Sequence, residues 1–182
     1  MRKLVMLVVL ALVLGCAVGA QATTINTTGD GGQTSLWDII NGWLGTNTYD
    51  STSLNALTQY TTIPAGSYTI ENFASYAGYS QEYGYFDAAG SVPSKGSGYT
   101  GSSSLPISFS QGSTVAFYDY ADGYNFAITT LGATTYGAQG IILDIPGLGY
   151  VIAFEDGNSG NNDHDFNDCV FRVSAAPIPG SL

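Results

Sequence analysis

Cationic side chains are almost missing from this sequence. Arg2, Lys3, Lys95 and Arg172 are the whole set among 182 residues, against fourteen Asp and Glu. Nucleic acid and anionic lipid are held by clustered Lys and Arg, so this balance excludes both as partners. Histidine is nearly absent too. One residue, His164, cannot supply a credible Ser-His-Asp set from inside a run of acids. The two cysteines, Cys16 and Cys169, lie far apart, and no fixed-period repeat is visible, which argues against a solenoid or propeller.

The first residues set the compartment. Arg2 and Lys3 precede an unbroken apolar run, Leu4–Leu14, and Ala20-Gln21-Ala22 supplies an A-x-A triplet. That layout predicts a secretory signal peptide over residues 1–22 and a secreted or cell-surface protein. Val13-Leu14-Gly15-Cys16 offers a competing lipoprotein reading, with Leu14 an awkward fit two positions before the cysteine. Membrane attachment is expected only through a lipidated Cys16 or a C-terminal sorting helix beyond the given sequence. Cleavage after Ala22 leaves Lys95 and Arg172 as the only formal cations and removes Cys16, so Cys169 keeps no intrachain disulfide partner. The domain must then be held by packing, and by metal if it has one.

What is present is Gly, Ser, Thr, Asn and Tyr, with short β-branched and aromatic runs between turn residues. This composition predicts an all-β fold, a β-sandwich of jelly-roll type, as one domain over residues 23–174. Strands are expected at Ser67–Phe73, Tyr83–Ala88, Ile107–Ser110, Thr114–Tyr120, Phe126–Thr130, Gly140–Ile145, Tyr150–Glu155 and Cys169–Val173. Residues 90–106, rich in Gly and Ser, read as a long loop, with a linker between two small domains as the alternative. "SLWDIINGWLG" breaks the β pattern. Leu36, Ile39, Ile40, Trp43 and Leu44 recur at helical spacing, Ser35 and Asp38 take capping-box positions, and Gly45 suits a C-cap. One short amphipathic helix is expected there, as a lid over one end of the sandwich or as a docking surface.

Against so little charge, "FEDGNSGNNDHDFNDCVF" stands out. Five of the fourteen acids, Glu155, Asp156, Asp163, Asp165 and Asp168, fall within Phe154–Phe171, with Asn158, Asn161, Asn162 and Asn167 among them. The flanking runs alternate so that Ile152 and Phe154 share one face and Cys169, Phe171 and Val173 another. A hairpin is therefore expected, with the acids at its rim. Asp163-x-Asp165-x-Asn167-Asp168 places short oxygen side chains where they can converge on one centre, and Glu155 and Asp156 can complete the shell.

Calcium takes six to eight oxygens at about 2.3–2.6 Å, so Glu155, Asp156, Asp163, Asp165, Asn167 and Asp168 are expected to bind Ca2+. The loop is not an EF-hand, because Asp168 stands where that loop needs glycine. Zinc is disfavoured, the soft candidates being His164, read as an exposed loop residue, and Cys169, read as core. Phe166 is expected to plug the loop into the core, and Asp119 to lie outside the metal's influence. The bland alternative is that Asp, Asn and Gly simply make turns.

The run resembles the C-terminal signature of a bacterial exported domain family of unknown function: F-E-D, a Gly/Asn-rich spacer, D-x-D-[FY]-N-D and an apolar strand. The matching residues are Phe154-Glu155-Asp156 and Asp163 to Asp168, followed by Cys169-Val170-Phe171, and the resemblance extends over about Leu105–Val173. Members often carry a PEP-CTERM sorting signal. "AAPIPGSL" at Ala175–Leu182 resembles the opening of one, read here as a truncated signal or an unrelated tail. The resemblance implies a β-rich fold, export and a calcium loop, and it supplies no reaction.

The function expected is that of a non-enzymatic surface or extracellular-matrix module with a structural calcium loop, contacting extracellular polysaccharide or other surface components. The alternative is a carbohydrate-binding module that stacks sugars on tyrosines of "YAGYSQEYGYF", Tyr76–Phe86. A glycosidase using paired carboxylates is disfavoured, since many acids among glycines make a cation trap more readily than a catalytic pair.

Overall fold

The computed structural model describes residues 23–26, 33–101, 105–108, 113–122, 126–134, 139–156 and 163–176. The predicted signal peptide, Cys16, Asn158, Asn161, Asn162 and most of the tail lie outside them. Among the described residues, no helix is long and apolar enough to cross a membrane.

Helix α1, Leu36–Leu44, begins where Ser35 Oγ accepts from the Asp38 backbone N–H and ends at Gly45, whose φ of 67° is the left-handed C-cap conformation. A second helix, α2 (Ser51–Asn55), follows from a reciprocal capping box between Asp50 and Ser53. Eleven described strands come next: β1 (Gln59–Tyr60), β2 (Ile63–Pro64), β3 (Ser67–Ala74), β4 (Gln81–Asp87), β5 (Tyr99–Thr100), β6 (Leu105–Ser108), β7 (Thr114–Ala121), β8 (Ile128–Thr129), β9 (Gln139–Ile145), β10 (Gly149–Glu155) and β11 (Cys169–Ala175).

They form two antiparallel sheets. One runs β1-β9-β10-β11-β3-β6; the other runs β2-β7-β4-β5, with β8 against β7. Pro146-Gly147 turns β9 into β10, closed by a hydrogen bond from Leu148 N–H to Ile145 O at 2.9 Å, with Gly147 at φ 89°. A proline followed by a positive-φ glycine is the chemistry of a type II turn.

Side-chain alternation explains how the sheets meet. Val115 and Phe117 of β7 and Tyr83 of β4 point into one core with Ile142, Ile152, Phe154, Cys169, Phe171 and Val173 of the larger sheet. Tyr83 stacks on both Phe73 and Phe171, with ring centroids 5.0 and 4.7 Å away, so one aromatic ring bridges the two layers.

The opposite face of the larger sheet is also apolar. Ile141, Leu143, Val151, Ala153 and Val170 pack there with Ile25, Leu36, Ile39, Ile40 and Leu54. Helix α1 therefore covers the outer face of the six-stranded sheet, where the sequence suggested a lid over one end. Burial on both faces accounts for the nearly continuous apolar stretches in β9 and β10, which depart from strict alternation.

Candidate metal centre

Strands β10 and β11 pair antiparallel, with Phe154 opposite Cys169 and Ile152 opposite Phe171. The acidic run joins them at one end of the inter-sheet core. Its return half is anchored on both sides. Phe166 is fully buried among the helix-side apolar residues. Asn26 N–H donates to His164 O at 2.8 Å, and Asn26 Nδ2 donates to Asp163 O. Asn167 Nδ2 donates to Thr34 O at 2.9 Å. His164 is half-buried beneath this N-terminal strap, not exposed as the sequence suggested.

His164 and Phe166 adopt φ values of 60° and 55°, a left-handed conformation unusual for bulky residues. They alternate with Asp163 and Asp165, and the resulting curl brings both acids to Glu155. One carboxylate oxygen from each of Glu155, Asp163 and Asp165 lies within 4.8 Å of the others. Around this triad the donors are backbone groups and one amide. Phe166 N–H approaches Glu155 Oε2 at 3.4 Å, Asp165 N–H approaches Asp163 Oδ1 at 3.4 Å, and Asn167 N–H reaches Asp165 Oδ1 at 3.2 Å. Asn167 Nδ2 also donates to Asp165 Oδ2 at 2.7 Å, which orients that carboxylate.

Two ion pairs are formed by Lys95 and Arg172. Arg172 pairs with Glu71 at 3.6 Å and Lys95 with Asp122 at 3.4 Å, both away from the loop.

The other predicted ligands take different places. Asp156 is buried and accepts from Gln81 Nε2 at 2.8 Å, while Asp168 Oδ2 accepts from Asp156 N–H at 2.7 Å. Asn167 acts on the triad through its amide donor, as above. The six residues read from the sequence thus divide into a convergent triad, Glu155, Asp163 and Asp165, and a neighbouring pair, Asp156 and Asp168, with Asn167 bracing Asp165. Burial pushes the Asp156 carboxyl above its usual range. For Asp168, burial and then the Asp156 charge push the value up to about 9.

Asp119 was expected to be remote and is not. On β7 it shares the inward parity of Val115 and Phe117, and none of its surface is exposed. Burial, then the charge of Asp156, push its carboxyl well above the ordinary range, and the Cys169 thiol beside it counteracts this only in part. A thiol is a weak donor, and among the described residues no donor reaches either Asp119 oxygen with hydrogen-bonding geometry. Gln81, from β4, likewise escaped the sequence reading. The signal available for Asp119 was parity: an acid on the core-facing register of a strand needs a reason to be there.

The arrangement gathers carboxylate oxygens, which suits a hard cation. Comparison with curated proteins and with solved structures gave no match. Residues 109–176, the stretch that carries Asp119 and all six predicted ligands, match the model of a domain family described as a domain of unknown function, DUF4114.

Proposed function

We propose that this chain is an exported, non-enzymatic β-sandwich module whose C-terminal loop binds calcium as a structural element. One observation carries the reading. Glu155, Asp163 and Asp165 place carboxylate oxygens within 4.8 Å of one another. Three carboxylates at that spacing repel unless a cation sits among them. Calcium fits because it takes Asp and Glu oxygens in flexible geometry and accepts water in the remaining positions. Bound there, it would fasten the N-terminal strap, through Asn26, and the rim of the β10–β11 hairpin into one unit.

Export rests on the Arg2-Lys3, Leu4–Leu14 and Ala20-Gln21-Ala22 layout. The C-terminal signature, with its association with PEP-CTERM sorting, supports a place on the cell surface or in an extracellular matrix. Calorimetric titration of the EDTA-stripped protein with calcium tests the metal reading. A saturable binding isotherm that loses one ion per chain in Asp163→Ala is expected; no binding heat at millimolar calcium refutes it. Intact mass of the exported protein should correspond to a chain starting at Thr23 without lipid, and a diacylated Cys16 would overturn that part.

A second reading, sugar binding, is favoured by two exposed rings. Tyr83 and Phe86 of the aromatic run are core residues, but Tyr76 and Tyr79 remain exposed. Tyr76 N–H donates to Asn167 O at 3.2 Å, so the backbone of Tyr76 borders the acidic loop. Aromatic faces next to an ordered loop are where a polysaccharide would stack. Loss of retention on a polysaccharide column in Tyr76→Ala and Tyr79→Ala, with folding intact, would support it.

A further inference from the structure

At the loop end of the inter-sheet core, oxygen acceptors outnumber donors. Asp119 is fully buried, and among the described residues no donor reaches its carboxylate oxygens with hydrogen-bonding geometry, the weak thiol donor of Cys169 lying beside it. Gln81 is 5% exposed; its Nε2 is spent on Asp156 Oδ2, while its Oε1, on the same amide, has no donor either. The β4–β7 register sets Asp119 opposite Tyr83 and Gln81 opposite Ala121. Asp119 and Gln81 are thus diagonal neighbours on one face, about 7–8 Å apart at the backbone and within side-chain reach. Asp156 enters from the other sheet, immediately beyond the end of β10.

An ionised carboxylate buried without a donor or a counter-charge costs several kcal/mol, so such a group is protonated or bound to a cation. Protonation of Asp119 would supply one donor. The Gln81 Oε1 and the charge of Asp156 would still compete for it.

We infer that Asp119, Asp156 and the amide oxygen of Gln81 hold a second calcium ion, buried between the two sheets and separate from the Glu155–Asp163–Asp165 centre. Two carboxylates and an amide carbonyl are a calcium donor set, and water completes the shell. Among the described residues, the triad is the group that brings three carboxylate, thiol or imidazole atoms within 4.8 Å. The second site therefore gains its third protein ligand from glutamine. The nearby sulfur of Cys169 does not favour zinc: its thiol is fully buried and held neutral by burial and the Asp119 charge.

Position gives this ion a distinct role. Gln81 and Asp119 belong to the smaller sheet and Asp156 to the larger, so the ion would tie the layers together where the loop site ties only the hairpin rim to the N-terminal strap. Asp168 links the two sites. Its Oδ2 accepts from Asp156 N–H, and its carboxyl feels the charges of Asp156, Glu155 and Asp165.

The test is calcium stoichiometry by equilibrium dialysis of the EDTA-stripped full chain against calcium chloride, with metal counted by atomic emission. Wild type is expected to bind two ions per chain. Asp119→Asn, which keeps shape and removes charge, should bind one. Asp163→Ala should also bind one, and the double variant none. Should Asp119→Asn fail to fold, Gln81→Met reads the same site without touching either carboxylate, and should bind one ion at a calcium concentration that saturates the loop. A stoichiometry unchanged in Asp119→Asn, or in Gln81→Met if that variant stands in, overturns the second site. Wild type binding a single ion that Asp163→Ala abolishes and Asp119→Asn retains overturns it while leaving the loop site intact. Wild type binding none refutes both.

Discussion

The Asp156 backbone N–H donates to Asp168 Oδ2 at 2.7 Å, twelve residues along the chain. This bond closes the acidic loop at its base, at the point where β10 ends and β11 begins. It needs no metal to form, because one partner is a backbone donor. It does place a buried carboxylate next to Asp156, and burial with the Asp156 charge raises the proton affinity of Asp168.

The first prediction concerns pH. Burial raises the folded-state values of Asp119, Asp156 and Asp168, the last to about 9, above the unfolded value near 3.8. Between those limits the folded chain holds more protons than the unfolded chain, so stability falls as pH rises. Their contribution is fully present below the unfolded value and is lost as pH rises through the folded ones. In EDTA the unfolding midpoint should decline from about pH 5 to about pH 9, and saturating calcium should flatten the decline. Urea melts across that range check it. A metal-free midpoint that climbs with pH would show that these carboxyls are ionised in the folded state.

Cys169 should be silent as a thiol. It is fully buried opposite Phe154, and burial with the neighbouring Asp119 charge raises its thiol value. A polar thiol reagent should label the native protein only as fast as it unfolds. Rapid labelling of the calcium-loaded protein would contradict the inward register of β11.

Gly140 leaves room for the ring of its cross-strand neighbour. It pairs with Phe154, and a Cβ there would lie 2.5 Å from the Phe154 ring and 3.0 Å from Thr130 Cγ2. Gly140→Ala should cost about 1–3 kcal/mol through overpacking. Gly78→Ala is the control, since nothing lies within 4 Å of a Cβ at that position. Equal denaturation midpoints for the two variants would refute the packing argument.

Much of this architecture is legible because burial imposes periodicity. Ile152 and Phe154, then Cys169, Phe171 and Val173, carry the two-residue period of the central hairpin. Leu36, Ile39 and Ile40 carry the helical one, and all of these are buried. Helix α2 escaped notice because a single turn that buries only Leu54 has no period to read. The two-residue strands β1, β2 and β5 are too short to show alternation.

The same logic divides the site. Glu155, Asp163 and Asp165 stand out because they are neighbours in one run. Gln81 reaches Asp156 across 75 residues, and only tertiary structure brings them together. Asp119 read only as a residue outside the loop, because its tyrosine neighbours suit either face of a strand.

Calcium in the acidic loop should stabilise the fold, and thermal unfolding with and without the ion reads that stabilisation. With free calcium about 100-fold above the dissociation constant, one bound ion adds about 2.7 kcal/mol, roughly 5–10 °C for a domain of this size. The wild-type midpoint in millimolar calcium should exceed that in EDTA by at least this amount. Asp165→Ala, which removes one carboxylate of the triad, should lose the share of the difference that the loop ion contributes. A wild-type midpoint that is the same in EDTA and in calcium would contradict the account and leave the loop as a turn.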